Sequence, residues 1–113
     1  MTREEIDRAA RRFAEEAESE YGKKLKNVIM FGSCARGDWD NDSDLDIMIL
    51  LDVGPNEIPD ERGRLLNIIH RLDPEFDYEV LFAPVVQSEQ IYRRYADTLP
   101  FYQNVEKEGI KYA

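Results

Sequence analysis

Three short apolar runs alternate with segments of helical periodicity, and this alternation is the feature that most constrains the fold. The runs cover residues 27–31, 44–51 and 76–83. Each is short and rich in β-branched or aromatic residues, as buried strands are. Between them, apolar residues recur every three or four positions, which indicates amphipathic helices. The sequence therefore predicts an α/β sandwich in which helices flank a small mixed β-sheet.

Capping and breaking signals predict where the helices begin and end. Thr2 and Glu5 have the spacing of a capping box, and Gly22 follows the last apolar position of the first helix. Pro84 is expected to close the third strand. Ser88 is expected to cap the helix that follows. A short helical turn is predicted after Gly32. Longer helices are predicted over residues 60–72, 88–95 and 100–108, and Gly109 is expected to end the last of them.

The composition excludes several classes of protein. The chain has 113 residues, of which 15 are Lys or Arg and 24 are Asp or Glu, so its net charge is −9. An acidic chain of this size lacks the basic face that an extended grip on nucleic acid requires. No run approaches the roughly 20 apolar residues of a membrane span, and the first residues are charged, so we expect a cytoplasmic protein without membrane contact. One cysteine, Cys34, and one histidine, His70, are too few for a structural zinc site.

Two aspartates at the start of the second strand form a candidate metal site. Asp44 and Asp46 are two residues apart, so on a strand their carboxylates project to the same side while Leu45 and Ile47 face the core. Carboxylates held this close raise each other's pKa unless a cation lies between them. Mg²⁺ is the natural cation, since it is commonly held by one or two carboxylates together with substrate phosphates.

A glycine and a serine at the end of the first strand form a candidate phosphate site. Gly32 lets the backbone approach a phosphate, Ser33 adds a hydroxyl, and a helix starting near Cys34 would direct free N–H groups at the same anion. The sequence has no G-x-x-x-x-G-K-[ST], so it does not predict an ATPase or GTPase of the P-loop type. A phosphate cradle facing paired acids is the minimum apparatus for transfer at a nucleoside triphosphate.

The combined pattern resembles the DNA polymerase beta-like nucleotidyltransferase superfamily. The string GSCARGDWDNDSDLDIMI is similar to its minimal, MNT-type branch. The resemblance implies one minimal nucleotidyltransferase domain over residues 1–113. It further implies that Gly32 and Ser33 bind the triphosphate, and that Asp44 and Asp46 hold two Mg²⁺ ions.

The resemblance also implies a third carboxylate from a later strand. The third run offers Asp77 and Glu79 on one strand face, and we favour Glu79 because it is expected deeper in the strand, five residues before Pro84. In the family this group binds the metal nearest the nucleophile and accepts the proton of the attacking hydroxyl. The predicted catalytic and metal-binding residues are therefore Asp44, Asp46 and Glu79.

The resemblance implies Mg²⁺-dependent transfer of a nucleoside monophosphate, with ATP as the expected donor, to a hydroxyl group. Minimal members often occur beside a HEPN-domain protein in a toxin–antitoxin pair, so a tyrosine hydroxyl on such a partner is the expected acceptor. The alternative is a non-catalytic antitoxin that neutralises its partner by contact. Transfer to a small alcohol ranks last, although a homo-oligomer could build a pocket for it between subunits.

Several residues have two interpretations from sequence alone. Arg36 could contact a phosphate or pair with an aspartate of the following loop. Trp39 could cover a nucleobase or shield the turn. Cys34 is expected to be inert packing, and His70 a structural or rim residue.

Two groups of side chains also have two interpretations. Asp38, Asp40 and Asp42 are expected to be solvated or to bind a structural cation. The aromatic residues of the last quarter either close the core or form a partner surface; they are Tyr92, Tyr95, Phe101, Tyr102 and Tyr112.

Overall fold

The computed structural model describes residues 1–58 and 61–113, which form helices and strands in the predicted alternation. The helices are α1 (Arg3–Tyr21), α2 (Ser33–Arg36), α3 (Arg62–Leu72), α4 (Glu89–Tyr95) and α5 (Pro100–Glu108). The strands are β1 (Leu25–Phe31), β2 (Leu45–Leu51), β3 (Phe82–Ser88) and β4 (Ile110–Lys111). Short 3₁₀ turns cover Gly22–Lys24, Pro55–Glu57 and Asp73–Phe76. No helix within the described ranges is long and apolar enough to cross a membrane.

The strands form one mixed sheet in the order β3-β2-β1-β4. β2 runs antiparallel to β1 and parallel to β3, and β4 runs antiparallel to β1. The predicted mixed sheet flanked by helices is confirmed. β4 was not predicted, because two residues after a helix-ending glycine carry no strand periodicity. The register places Asp46 between Phe31 on β1 and Ala83 on β3.

Helices cover both faces of the sheet, which explains why the second half of β2 is a continuous apolar run. α1 and α3 pack on one face, where the largest fully buried side chains include Phe13, Ile47 and Ile68. On the other face, α4 and α5 bury a smaller cluster with β1 and β2. We call this the α4/α5 face; its buried residues are Ile29, Met48, Leu50, Tyr92 and Val105.

The ends of α1 are those that the capping signals predict. The hydroxyl of Thr2 accepts a hydrogen bond of 3.1 Å from the Glu5 amide, and Gly22 leaves the helix with φ 58°. For α3, the predicted start at Asp60 lies outside the described residues, and the described helix ends at Leu72. Ser88 does precede α4, but its hydroxyl donates to the carbonyl of Val53 at 2.8 Å and does not cap the helix.

The predicted position of the third strand is wrong. The strand begins at Phe82, after a turn in which Asp77 and Tyr78 both have positive φ. Pro84 therefore lies inside β3 and does not close it. A proline is tolerated here because β3 is an edge strand. The carbonyl of Leu81 accepts from Leu45 on β2, and successive residues of a strand direct their backbone groups to opposite sides. The nitrogen of Pro84 therefore points to the open edge, where no N–H group is needed.

Candidate active site

The two predicted metal-binding aspartates lie together at the start of β2. Asp46 is partly buried on the α4/α5 face, and Asp44 is exposed immediately before the strand. Burial, and then the nearby Asp44 carboxylate, raise the pKa of Asp46, while Arg36 opposes this shift. Among the hydrogen bonds and ion pairs of the described residues, none engages either carboxylate group. The two carboxylates are close enough for Asp44 to raise the pKa of Asp46 in spite of Arg36, and such repulsion favours a cation between them.

Gly32 brings the backbone at the end of β1 against one of these carboxylates. Its φ of 75° belongs to the region that L-residues rarely adopt. A Cβ atom at this position would overlap Oδ2 of Asp46. Glycine is therefore required here both by the backbone conformation and by the close approach.

The short helix α2 begins directly after Gly32. The amides of Ala35 and Arg36 donate to the Gly32 carbonyl at 3.1 and 3.0 Å. The N–H groups of Ser33 and Cys34 come before the first helical hydrogen bonds, so they belong to the N-terminal donors that a helix leaves without an internal partner. The predicted turn and short helix are confirmed, and they place backbone donors beside the paired carboxylates.

Cys34 ties this turn to the start of β2. It is fully buried, and its thiol donates to the backbone carbonyl of Asp44 at 3.4 Å. Burial, more than any neighbouring charge, raises the pKa of the thiol. Cys34 packs in the core as predicted, and its inertness stays a prediction. Its bond to Asp44 could not be predicted from local sequence.

Arg36 forms the ion pairs that the sequence offered as one of two interpretations. Its Nε lies 3.3 Å from Asp38, and its Nη1 lies 3.5 Å from Glu108 at the end of α5. The second pair links α2 to α5 and could not be foreseen, because Glu108 is 72 positions away in the sequence. Contact between Arg36 and a phosphate stays a prediction.

Glu79 does not lie on a strand, contrary to the prediction. Both Glu79 and Asp77 are exposed in the segment between the 3₁₀ turn and β3. The β3 residue opposite Asp46 is Ala83, and β3 itself contains no acidic residue. Within the described ranges, no group of three or more His, Cys, Asp or Glu side chains could hold a metal ion. The role of Glu79 as third carboxylate stays a prediction.

The donor set fits one hard cation. A carboxylate against the turn at Gly32 and a second one two residues before it are ligands of the kind that Mg²⁺ takes when a substrate supplies the remaining oxygens. Asp44 and Asp46 are the residues that would hold it. A second ion would need further donors, which the pair alone does not supply.

The remaining candidates lie away from the paired acids. The Trp39 indole donates to the Met1 carbonyl at 3.3 Å, and the Arg3 guanidinium lies 4.8 Å from its ring centroid, so Trp39 shields the turn against α1. His70 is exposed on α3, on the opposite face of the sheet. In the acidic loop, Asp40 accepts a hydrogen bond from the Asp42 amide, which is a local turn interaction.

Comparisons with protein families and with known sequences both find nucleotidyltransferases. A family model described as nucleotidyltransferase domain matches residues 10–112. A protein of Methanocaldococcus jannaschii named "putative protein adenylyltransferase" is 32% identical over 103 residues, which is 91% of this chain and 93% of that protein. A second protein of the same name and organism is 35% identical over 81 residues, covering 70% of this chain and 76% of its own length.

A solved structure shares the fold. A chain in a crystal structure of a mutant of the toxin–antitoxin MntA-HpeT superposes with a TM-score of 0.53 at 14% sequence identity, covering 100% of this chain and 73% of that one. The matching family model and the two relatives define the class of protein as a nucleotidyltransferase. The chain belongs to the nucleotidyltransferase domain family, as the resemblance in its sequence implied.

Proposed function

We propose that the protein transfers AMP from ATP, with Mg²⁺, to a hydroxyl group of a partner protein. The observation that carries this proposal is the close approach of Gly32 to Asp46, which joins the candidate phosphate site to a carboxylate that makes no hydrogen bond or ion pair with the other described residues. The two relatives named protein adenylyltransferase support AMP as the transferred group and a protein as acceptor.

Each residue of the site has a chemical task in this proposal. Ser33 and the backbone donors at the start of α2 orient the phosphates, and Arg36 exchanges its exposed ion pairs for a phosphate oxygen. Asp44 and Asp46 hold Mg²⁺, which neutralises charge on the phosphates when bound. Glu79 is the proposed third carboxylate and proton acceptor.

The transfer step forms one bond to phosphorus and breaks another. The acceptor oxygen forms a bond to the α-phosphorus of ATP, and the bond from that phosphorus to the bridging oxygen breaks, so that pyrophosphate leaves. The hydroxyl proton passes to a carboxylate, for which Glu79 is the candidate. Catalysis in such a site consists mainly of positioning and charge neutralisation.

The acceptor that we propose is a tyrosine hydroxyl on a HEPN-type partner in a toxin–antitoxin pair. The shared fold with a chain of the MntA-HpeT structure supports a toxin–antitoxin context. A second candidate function is neutralisation of the partner by contact alone. It is favoured by one observation: among the described residues, the site contains two clustered carboxylates and no third one.

Co-expression with a HEPN-type partner tests these alternatives. The partner's intact mass and its toxicity are measured beside the wild-type chain, the Asp44→Asn variant and the Asp52→Asn variant. Asp52 is an exposed aspartate at the opposite end of β2 and serves as the matched control. We expect adenylyl groups on the partner, and survival, with the wild type and Asp52→Asn only. Survival with Asp44→Asn and an unmodified partner would instead establish the contact mechanism.

A further inference from the structure

An aromatic cluster lies beside Asp46 on the α4/α5 face. Phe31 and Asp46 are direct partners across β1 and β2, so their side chains project from the same face of the sheet. The Phe31 ring meets the Phe101 ring edge to face, with centroids 5.7 Å apart and an interplanar angle of 88°. Phe101 in turn packs against Tyr102 at 5.3 Å. The metal-site carboxylate and Phe101 are therefore linked through one intervening side chain.

Phe101 is held in place and yet half uncovered. It lies in the first turn of α5, and 50% of its surface is exposed. Its neighbour Tyr102 is fixed by a hydrogen bond of 2.7 Å from the Gln87 amide and by an edge contact with Tyr92. An aromatic ring that packs on neighbouring rings and leaves one side open to solvent offers a ready stacking surface for a flat ligand.

Phe101 and Tyr78 are the aromatic residues among the exposed large hydrophobic side chains of the described ranges, and Phe101 is the one that packs on Phe31, the cross-strand partner of Asp46. The loop from Asp38 to Asp42 is acidic and largely exposed, and the indole of Trp39 is already engaged with Met1 and Arg3. The exposed aliphatic residues Leu81 and Val85 lie on the β3 side of Asp46 and offer no π-face. Because Gly32 follows Phe31 directly, a nucleotide with its phosphates at that turn has the aromatic cluster immediately beside it.

We propose that the nucleobase of the bound nucleoside triphosphate stacks on the open face of Phe101. This inference rests on the proposed function, since it requires a nucleotide at Gly32 and Ser33. Stacking is tolerant of base identity because every base has a π-face, and it is strongest for purines. Phe101 is then an affinity-determining residue for the donor, and it leaves the aliphatic side of the site free for the acceptor.

The test compares two ligands that share the triphosphate and differ in the base. Calorimetric titrations with Mg²⁺ give the affinities of a non-hydrolysable ATP analogue and of inorganic tripolyphosphate for the wild type, Phe101→Leu and Phe101→Trp. Leu99→Ala is the matched control, since Leu99 is another exposed apolar residue at the start of the same helix. Thermal unfolding verifies that each variant is folded.

We expect Phe101→Leu to bind the ATP analogue roughly tenfold more weakly, with tripolyphosphate affinity unchanged. Leu99→Ala should retain the wild-type ratio of ATP-analogue affinity to tripolyphosphate affinity. Phe101→Trp should retain or increase that ratio. An unchanged ratio in Phe101→Leu would overturn the platform while leaving the proposed function intact. Failure of the wild type to bind either ligand would overturn the proposed function and the platform together.

Discussion

The backbone at Gly32 packs directly against the carboxylate of Asp46, with no room for a Cβ atom between them. This contact joins the end of β1 to the start of β2, since the preceding residue, Phe31, is the cross-strand partner of Asp46. A phosphate held by the turn must therefore lie beside the carboxylate. The close approach of these two residues turns two separate sequence motifs into one site.

Gly32→Ala should disrupt both stability and nucleotide binding. The added Cβ meets Asp46 Oδ2, and alanine disfavours the positive φ, so we expect a loss of about 2 kcal/mol or more in the free energy of unfolding. Gly63→Ala is the control, because a Cβ on Gly63 of α3 meets nothing within 4 Å and alanine favours helix. Urea unfolding of both variants checks the prediction; equal stabilities would contradict it.

Asp46→Asn should abolish the dependence of stability on Mg²⁺. Replacing the carboxylate removes its repulsion from Asp44, so the metal-free variant should unfold at the wild-type temperature or above it. Mg²⁺ should raise the unfolding temperature of the wild type only, because ligand binding stabilises the folded state by mass action. A thermal shift of equal size in both proteins would place the metal elsewhere.

Substitutions at the two exposed acids before β3 should separate their roles. We expect Glu79→Gln to lose at least about a hundredfold in transfer rate, the order of a lost general base. Asp77→Asn should remain active and folded, since asparagine tolerates the positive φ of 55° at this position. Steady-state rates of pyrophosphate release provide the measurement. The reverse ranking would assign the third carboxylate to Asp77.

The ion pair between Arg12 and Glu75 should make stability depend on pH. Hydrogen bonds of 3.0 and 2.7 Å from Arg12 lower the pKa of Glu75. Because the pKa of Glu75 is lower in the folded protein, the pair stabilises the folded state at any pH above the unfolded-state pKa of about 4.3. This stabilisation is lost as the pH falls through the folded-state pKa. Because the pair is exposed, Glu75→Gln should cost less than about 1 kcal/mol at pH 7. Denaturant unfolding should show this difference vanishing in acid and in high salt; a constant difference would contradict the account.

Cys34 should resist thiol reagents in the folded protein. The side chain is fully buried, and burial raises the pKa of its thiol, so little thiolate is available at neutral pH. Labelling with iodoacetamide should proceed only at the rate of unfolding, and denaturant should accelerate it sharply. Rapid labelling of the native protein would show that the turn between α2 and Asp44 opens.

Local signals in the sequence predict most of the fold and bring Gly32 and Asp46 forward as the centre of the candidate site. The capping box at Thr2, the apolar run of β2 and the spacing of Gly32 from Asp46 depend on neighbouring residues, so pattern alone locates them. The third strand was misplaced because Phe76 to Ala83 has strand-like composition. Tertiary contacts decide otherwise: Phe76 ends a 3₁₀ turn in the core, and β2 pairs with the residues from Phe82 onward.

The contacts that the sequence could not reveal depend on how elements pack, and two of the three are long-range. The thiol of Cys34 on the Asp44 carbonyl, the pair of Arg36 with Glu108 and the approach of Phe101 to Phe31 each join residues that are distant or of unremarkable type. Their formation depends on where α2 and α5 pack on the sheet. Periodicity assigns a residue to an element but does not determine which elements meet.

The measurement that tests the central claim most directly is transfer from ATP labelled at the α-phosphate. The purified chain is incubated with labelled ATP, Mg²⁺ and a soluble extract of its host, beside Asp44→Asn and the matched Asp52→Asn protein. We predict label on a macromolecule with the wild type and Asp52→Asn, and none with Asp44→Asn or with chelator. Label of equal intensity with Asp44→Asn, or no label with any folded protein, would contradict the assignment of this site to nucleotidyl transfer.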